Sequence, residues 1–209
     1  MNAVSFALHL PDSERADYLQ KCLPKSIASA RRTYPEATII LHHDSTVPKE
    51  FLLLADVTQR WPLALDVSCM FWRFATVGSS DYDAVLVRDA DSICGAREGA
   101  AVADWLESGL GFHTMHDHIA HTARVMGGMW GARRDAFPYD FQHLVRWWIK
   151  HKGPFDYDAD QWFLSRYVWP YAERNGIHHC DGNSRFVEQS PFPPYHPMSD
   201  EPQHVGAYI

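Results

Sequence analysis

Apolar and polar positions in the first half of the chain follow two alternating periods, short continuous runs and helical spacings. Val4 to Leu10 is a brief apolar run closed by Pro11, which predicts a buried strand. Asp12 or Ser13 offers a cap for the helix that follows, with Glu14 in its first turn and Tyr18, Cys22 and Leu23 at helical spacing. Pro24 is expected to break or kink this helix before it resumes to about Tyr34, because proline removes an amide donor from a helix interior. Ala37 to His42 predicts a second buried strand, ending in the polar turn Asp44-Ser45-Thr46. Pro48 to Ala55 suits a short helix, Leu63 to Val67 a third strand and Met70 to Val77 another helix. Tyr82 to Val87 predicts a fourth strand, running into Asp89.

Strands and helices in this order predict an α/β fold with a mixed, mainly parallel central sheet flanked by helices, Rossmann-like in plan. Ligands of such sheets sit beyond the carboxyl ends of the strands. The C-terminal prolines (Pro191, Pro193, Pro194, Pro197 and Pro202) predict an irregular tail laid over the body.

Composition adds constraints. A length of 209 residues suits one domain able to bury a core without disulfide staples. Cys22, Cys69, Cys94 and Cys180 form no CxxC pair and read as reduced thiols of a cytoplasmic protein. Residues 1–10 carry no basic region of the kind that opens a signal peptide, and no apolar run reaches the ~20 residues of a membrane helix. Peripheral contact with a membrane surface stays open. The 26 acidic residues outnumber the 19 basic ones, and no basic stripe is present, which argues against a nucleic-acid partner.

The chemistry gathers at Ala84-Val-Leu-Val-Arg-Asp-Ala-Asp-Ser92. Two carboxylates one residue apart, in extended geometry, face the same side. Asp89 and Asp91 would then repel each other unless a cation lies beside them. A hard divalent ion with oxygen ligands, Mn²⁺ or Mg²⁺, fits, and it would also hold a diphosphate. A DxD in a solvated turn is common; a buried strand ending in two acids has no evident structural need for both.

Trp72-Arg73-Phe74, VLVRDADS, Gly127-Gly-Met-Trp-Gly131 and Asp160-Gln161-Trp-Phe-Leu164 together resemble a compact GT-A glycosyltransferase, of the small bacterial and viral type bearing an RDxDS motif. The similarity runs from the first strand to His204-Val-Gly-Ala-Tyr-Ile209, and it rests on the order and spacing of the motifs. It implies a GT-A-like domain over 1–209, with residues 1–92 as a nucleotide-binding half and 93–209 as an acceptor and catalytic half with the tail. The implied donor is a nucleotide sugar, UDP-linked ahead of GDP-linked. The implied acceptor is a surface polysaccharide, a lipid-linked glycan or a protein.

Residue by residue, the resemblance assigns Asp89 and Asp91 to the metal and donor, with Asp91 the direct ligand, and Arg73 to the nucleotide. Leu8, at the end of the first strand, falls near the nucleobase. Gly128 belongs to a wall where donor sugar and acceptor meet, with Trp130 either stacking on a sugar or lying in the core. Asp160 is placed at the reacting sugar as base or hydroxyl contact, with Gln161 beside it. A third metal ligand is expected from His178, His179 or Asp181, and His179 is chosen, although the chain reads His179-Cys180-Asp181 where relatives are closer to His-Asp-Ser.

His113, His116, His118 and His121 crowd around Asp117. They read as a zinc site, as an acceptor cleft with Asp117 as general base tuned by His116 or His118, or as a polar loop. Three rivals to transfer remain: a nucleotide-sugar-binding module without activity, a zinc-dependent hydrolase built on the histidines, and a phosphotransferase with a nucleophilic aspartate. The last normally has its DxD after the first strand, and here it follows the fourth.

Overall fold

The computed structural model describes residues 1–11, 14–181, 189–199 and 202–208. Seven strands form one sheet: β1 (Asn2–Leu8), β2 (Thr38–His43), β3 (Val57–Arg60), β4 (Ala84–Arg88), β5 (Phe112–His116), β6 (Met129–Arg133) and β7 (Gly176–Cys180). Their order is β3-β2-β1-β4-β6-β5-β7. β3, β2, β1 and β4 are mutually parallel, β6 runs antiparallel between β4 and β5, and β7 is parallel to β5. Every strand except β6 therefore points the same way, and the carboxyl ends of six strands share one edge. This is the expected mixed, mainly parallel sheet flanked by helices.

Side-chain alternation divides the core. Ala84 and Leu86 join Val4, Phe6, Leu8, Ile39 and Leu41 on one face, under Leu23, Ile27 and Ala30 of α1 (Glu14–Thr33) and Trp105 of α3 (Ala96–Ser108). Val85 and Val87 face the other way with Ile40, Phe112 and Trp130. That face is covered by a 3-10 segment, Val67–Thr76, by α4 (Phe141–Lys152) and by α5 (Ala159–Tyr167). Two short helices, α2 (Lys49–Leu52) and α6 (Trp169–Ala172), complete the helical inventory of the described residues.

Three local expectations are corrected. α1 continues through Pro24: its buried stripe of Cys22, Leu23, Ser26, Ile27 and Ala30 against the sheet offsets the lost amide bond. The third strand is Val57–Arg60, not Leu63–Val67. β3 is an edge strand, paired only with β2 and mostly exposed, so it needs no apolar run, whereas Leu65 is 92% exposed. The segment around Met70 is 3-10 rather than α and starts earlier, where the Asp66 carboxylate accepts from the Ser68 amide. The cap candidates Asp12 and Ser13 lie outside the described residues.

The tail follows its expected irregular course in the described residues, yet Val205 is buried against Met115 and Met129. Tyr208 bridges antiparallel to Ser92. Among the described residues none of the four cysteines forms a disulfide. Among the described residues no helix is long and apolar enough to cross a membrane.

Candidate active site at the carboxyl edge of the sheet

β4 delivers two acids to the shared edge by a different route from the one expected. The strand stops at Arg88, and Asp89-Ala90-Asp91 turns, with the Ser92 hydroxyl donating to the Asp89 carbonyl at 3.2 Å. The turn, not strand alternation, brings the carboxylates close. Arg88, the first residue of the motif, is fully buried and structural: its Nε donates to Glu98 at 2.6 Å and its Nη1 to the carbonyls of Val87 and Trp130. Tyr34 donates to the same Glu98 oxygen.

Arg73 is the hub. Its Nη1 lies 2.6 Å from Asp89 Oδ1 and its Nη2 3.0 Å from Asp160 Oδ2, so one planar fork holds acids from β4 and α5. Ser5 of β1 fixes the Arg73 backbone by donating to its carbonyl at 2.8 Å. Burial by itself would lower the Arg73 pKa, but the charges of Asp89 and Asp160 more than offset this and hold it above its ordinary value. Asp160 is oriented further by the Gln161 amide, which donates to its Oδ1 at 2.7 Å. No side-chain contact of Gln161 marks it as a site residue.

Asp91 is buried, while Asp89 is 34% exposed. Burial and then the neighbouring Asp89 charge raise the Asp91 pKa, against the milder pull of Arg15 and Arg73. Burial likewise raises that of Asp160, opposed chiefly by Arg73. Three carboxylates thus share one buried arginine, with the exposed Arg15 of α1 acting on Asp91 from outside. The excess is negative, and a divalent cation between Asp89 and Asp91 fits this donor set.

Gly127 and Gly128 enter β6 across this cluster. A Cβ on Gly128 would overlap the Asp89 carboxylate and lie 2.9 Å from the Asp89 amide nitrogen; one on Gly127 would overlap Asp160 and lie 2.9 Å from Arg73 Nη2. The glycine pair therefore makes room for the acids themselves. Gly128→Ala is expected to cost about 1–3 kcal/mol in urea unfolding, the usual scale of overpacking. In an Asp89→Ala background the same Gly128→Ala change should cost less, and an unchanged cost would place the strain elsewhere.

Other expectations fall out differently. Trp130 is fully buried against Phe74 and Phe141, so it is a core residue and not a sugar platform. Leu8 is likewise a core side chain, leaving only its backbone at the edge. His179 corrects the third-ligand choice: its Nδ1 pairs with His113 at 2.8 Å and its Nε2 with Asp104 at 3.1 Å, which leaves neither nitrogen for a metal at Asp89 and Asp91. His178 pairs with Thr114 and the Ala172 carbonyl. Asp117 ends β5 at the same sheet edge, but in a separate cluster: its Oδ2 accepts from the Val205 amide at 2.8 Å and stands 3.6 Å from Arg97. His113 and His116 lie on β5, and His118 and His121 in the loop after it.

Several site features had no sequence signal. His9 and Asp44, 2.7 Å apart, end β1 and follow β2. Beside them Trp61 stacks on Trp72 at 5.9 Å, and Trp61 donates to His42. Tyr208, largely exposed, lies near the acids and beside the similarly exposed Tyr157: burial and then Asp89 raise the Tyr208 pKa, with Tyr157 and Asp91 adding to it. A cavity of about 600 Å³ lies elsewhere, among Tyr139, Leu144, Trp147 and Tyr171 on the helical face; it is largely apolar and lacks a comparable cluster of acids.

No family model matches the chain. No curated protein matches it by sequence. Among solved structures, it is similar to 4-diphosphocytidyl-2C-methyl-D-erythritol synthase from Anaerococcus prevotii, at a TM-score of 0.47 and 8% identity over 85% of this chain and 86% of that one.

Proposed function

We propose that this protein is a metal-dependent glycosyltransferase that takes a nucleotide sugar, UDP-linked ahead of GDP-linked, and passes the sugar to a hydroxyl of a glycan or similar acceptor. The observation that carries the reading is the Asp89–Arg73–Asp160 fork with Asp91 beside it, at the carboxyl edge of a mainly parallel sheet. Such an edge is where α/β sheets meet ligands.

In this reading Asp91 and Asp89 hold Mn²⁺ or Mg²⁺. When bound, the ion neutralises the donor diphosphate and stabilises it as a leaving group. Arg73 keeps Asp89 and Asp160 at fixed separation, so the donor meets a preorganised set of charges. Asp160, buried and oriented by the Gln161 amide, contacts the reacting sugar or takes the proton from the acceptor hydroxyl. Tyr157 and Tyr208 form an exposed aromatic rim suited to a sugar face. The Trp61–Trp72 stack stands at the β2–β3 side, where a nucleobase would lie.

The test is calorimetric titration of UDP and of GDP, each with and without Mn²⁺. Metal-dependent binding of UDP is expected, with GDP weaker. Absence of binding by both, with Mn²⁺ present and the protein folded, would remove the ligand this reading needs.

A further inference from the structure

A second group of metal-ligating side chains stands apart from the Arg73 cluster. One ligand atom from each of Asp117, His121 and His204 lies within 4.8 Å of the other two. We propose that these three residues bind a zinc ion that staples the C-terminal segment to the loop after β5. This inference does not rest on the glycosyltransferase reading.

The carboxylate supplies the first argument. The Asp117 side chain is fully buried. Its Oδ2 accepts from the Val205 amide, but among the described residues nothing donates a hydrogen bond to its Oδ1. A buried carboxylate oxygen left this way is costly unless a cation meets it. Arg97 is the nearby positive group, and its Nε approaches Oδ2, the oxygen that is already engaged.

Tautomers supply the second. The Nδ1 of His204 lies 3.0 Å from the Val205 carbonyl, which only accepts, so Nδ1 carries the proton and Nε2 a lone pair. A backbone carbonyl behind an imidazole is a common way to orient a metal ligand. The Nδ1 of His121 accepts a long bond, 3.2 Å, from the Asp117 amide, and it lies 3.6 Å from Asp117 Oδ1. Zinc at this nitrogen would take over the lone pair that the long amide bond now holds. His118 stacks on His204 at 4.3 Å and restricts its rotation.

Two imidazoles and one carboxylate, with a fourth position for water, suit zinc. Ligand atoms around a tetrahedral zinc are about 3.3 Å apart at ordinary bond lengths, so small side-chain rotations close the present spacing. Mn²⁺ and Mg²⁺ prefer all-oxygen sets, which separates this site from Asp89 and Asp91.

Position gives the ion a consequence. His204 precedes the buried Val205, and the next residues reach the DxD turn: the Ile93 amide donates to the Ala207 carbonyl, and Tyr208 bridges to Ser92. Zinc at His204 would hold that segment against the turn that carries Asp91.

The experiment is zinc titration of chelator-stripped full-length protein against a chromogenic competitor, repeated with Co²⁺ to read visible absorption. One zinc per chain is expected, with imidazole-type Co²⁺ bands. His204→Ala and His121→Ala should each weaken binding roughly 100-fold or more, at least the scale seen when metal-site partners are removed. His204→Gln, isosteric in reach, guards against a folding defect, and its melting temperature without zinc should equal the parent's. Asp91→Asn should bind zinc as the parent does, whatever its effect on nucleotide binding. Zinc binding that survives His204→Ala, or that is lost in Asp91→Asn, overturns the proposal, as does no binding at all.

Discussion

Asp91→Asn is expected to abolish sugar transfer while producing a metal-free protein that melts at a higher temperature than the parent. The two effects share one cause. Asp91 is buried beside Asp89, and both burial and that neighbour raise its pKa. A carboxyl whose pKa rises on folding costs stability once ionised. The cost is absent below the ordinary carboxylate value of 3.8, sets in as pH climbs toward the raised folded value, and is complete above it. At neutral pH asparagine, of nearly the same shape, removes that cost. The same substitution removes a ligand that meets the ion through charge, so transfer should fall by roughly 10³-fold or more, on the order of 4 kcal/mol of transition-state stabilisation. Thermal melts of both proteins, without metal, should show the variant's advantage at pH 7 narrowing as pH approaches 3.8. Added Mn²⁺ should stabilise the parent and leave the variant unchanged. A variant with parental activity would take Asp91 out of the reaction.

Burying acids costs stability, and that cost explains which parts of the candidate site were legible in the sequence. β1, β2 and β4 were readable because each is buried on both faces and therefore mostly apolar. The Asp89/Asp91 pair stood out because two acids follow that apolar run directly, and the second of them is buried. β3 was missed for the opposite reason: an edge strand paired on one side tolerates the polar Val57-Thr-Gln-Arg60. Pro24 misled because local propensity yields to a helix face that buries five residues near it.

Long-range chemistry was less legible. Arg73 and Asp160 are 87 positions apart, and nothing local states that one guanidinium also reaches Asp89. Gly127 and Gly128 did carry a signal, close backbone approach, but what approaches is the pair of acids and not a ligand. Histidine spacing was a poor guide in both directions. His179 looked available and has both nitrogens engaged, whereas His204, isolated in sequence from the cluster at 113–121, closes on Asp117 and His121 through the tail. Side chains recruited by a crossing segment leave no periodicity to read.

Replacing Arg73 tests how much of the site is held by that one fork. Arg73→Met keeps much of the apolar stem but removes the guanidinium, whose carbon lies 5.5 Å from the Phe74 ring centroid, and with it the only buried positive charge the described residues place between Asp89 and Asp160. Removing one partner of a buried ion pair typically costs about 3–5 kcal/mol, a large share of the roughly 5–15 kcal/mol that holds a domain folded. Arg73→Lys should recover only part of it, because a single ammonium cannot donate in parallel to two carboxylates. Asp160→Asn added to Arg73→Met should restore stability, since the acid left most deeply buried is then neutral; this non-additivity is the quantity a double-mutant cycle reads. Acid should act in the same direction. Burial already raises the Asp160 pKa against the pull of Arg73, and without the arginine it rises further. The single variant should therefore gain stability relative to the parent as pH falls through that raised value. Urea unfolding of the parent, Arg73→Met, Asp160→Asn, the double variant and Arg73→Lys at two pH values measures all of this. Additive losses, or a deficit that does not change with pH, would show that Arg73 serves packing and that the acids do not depend on it.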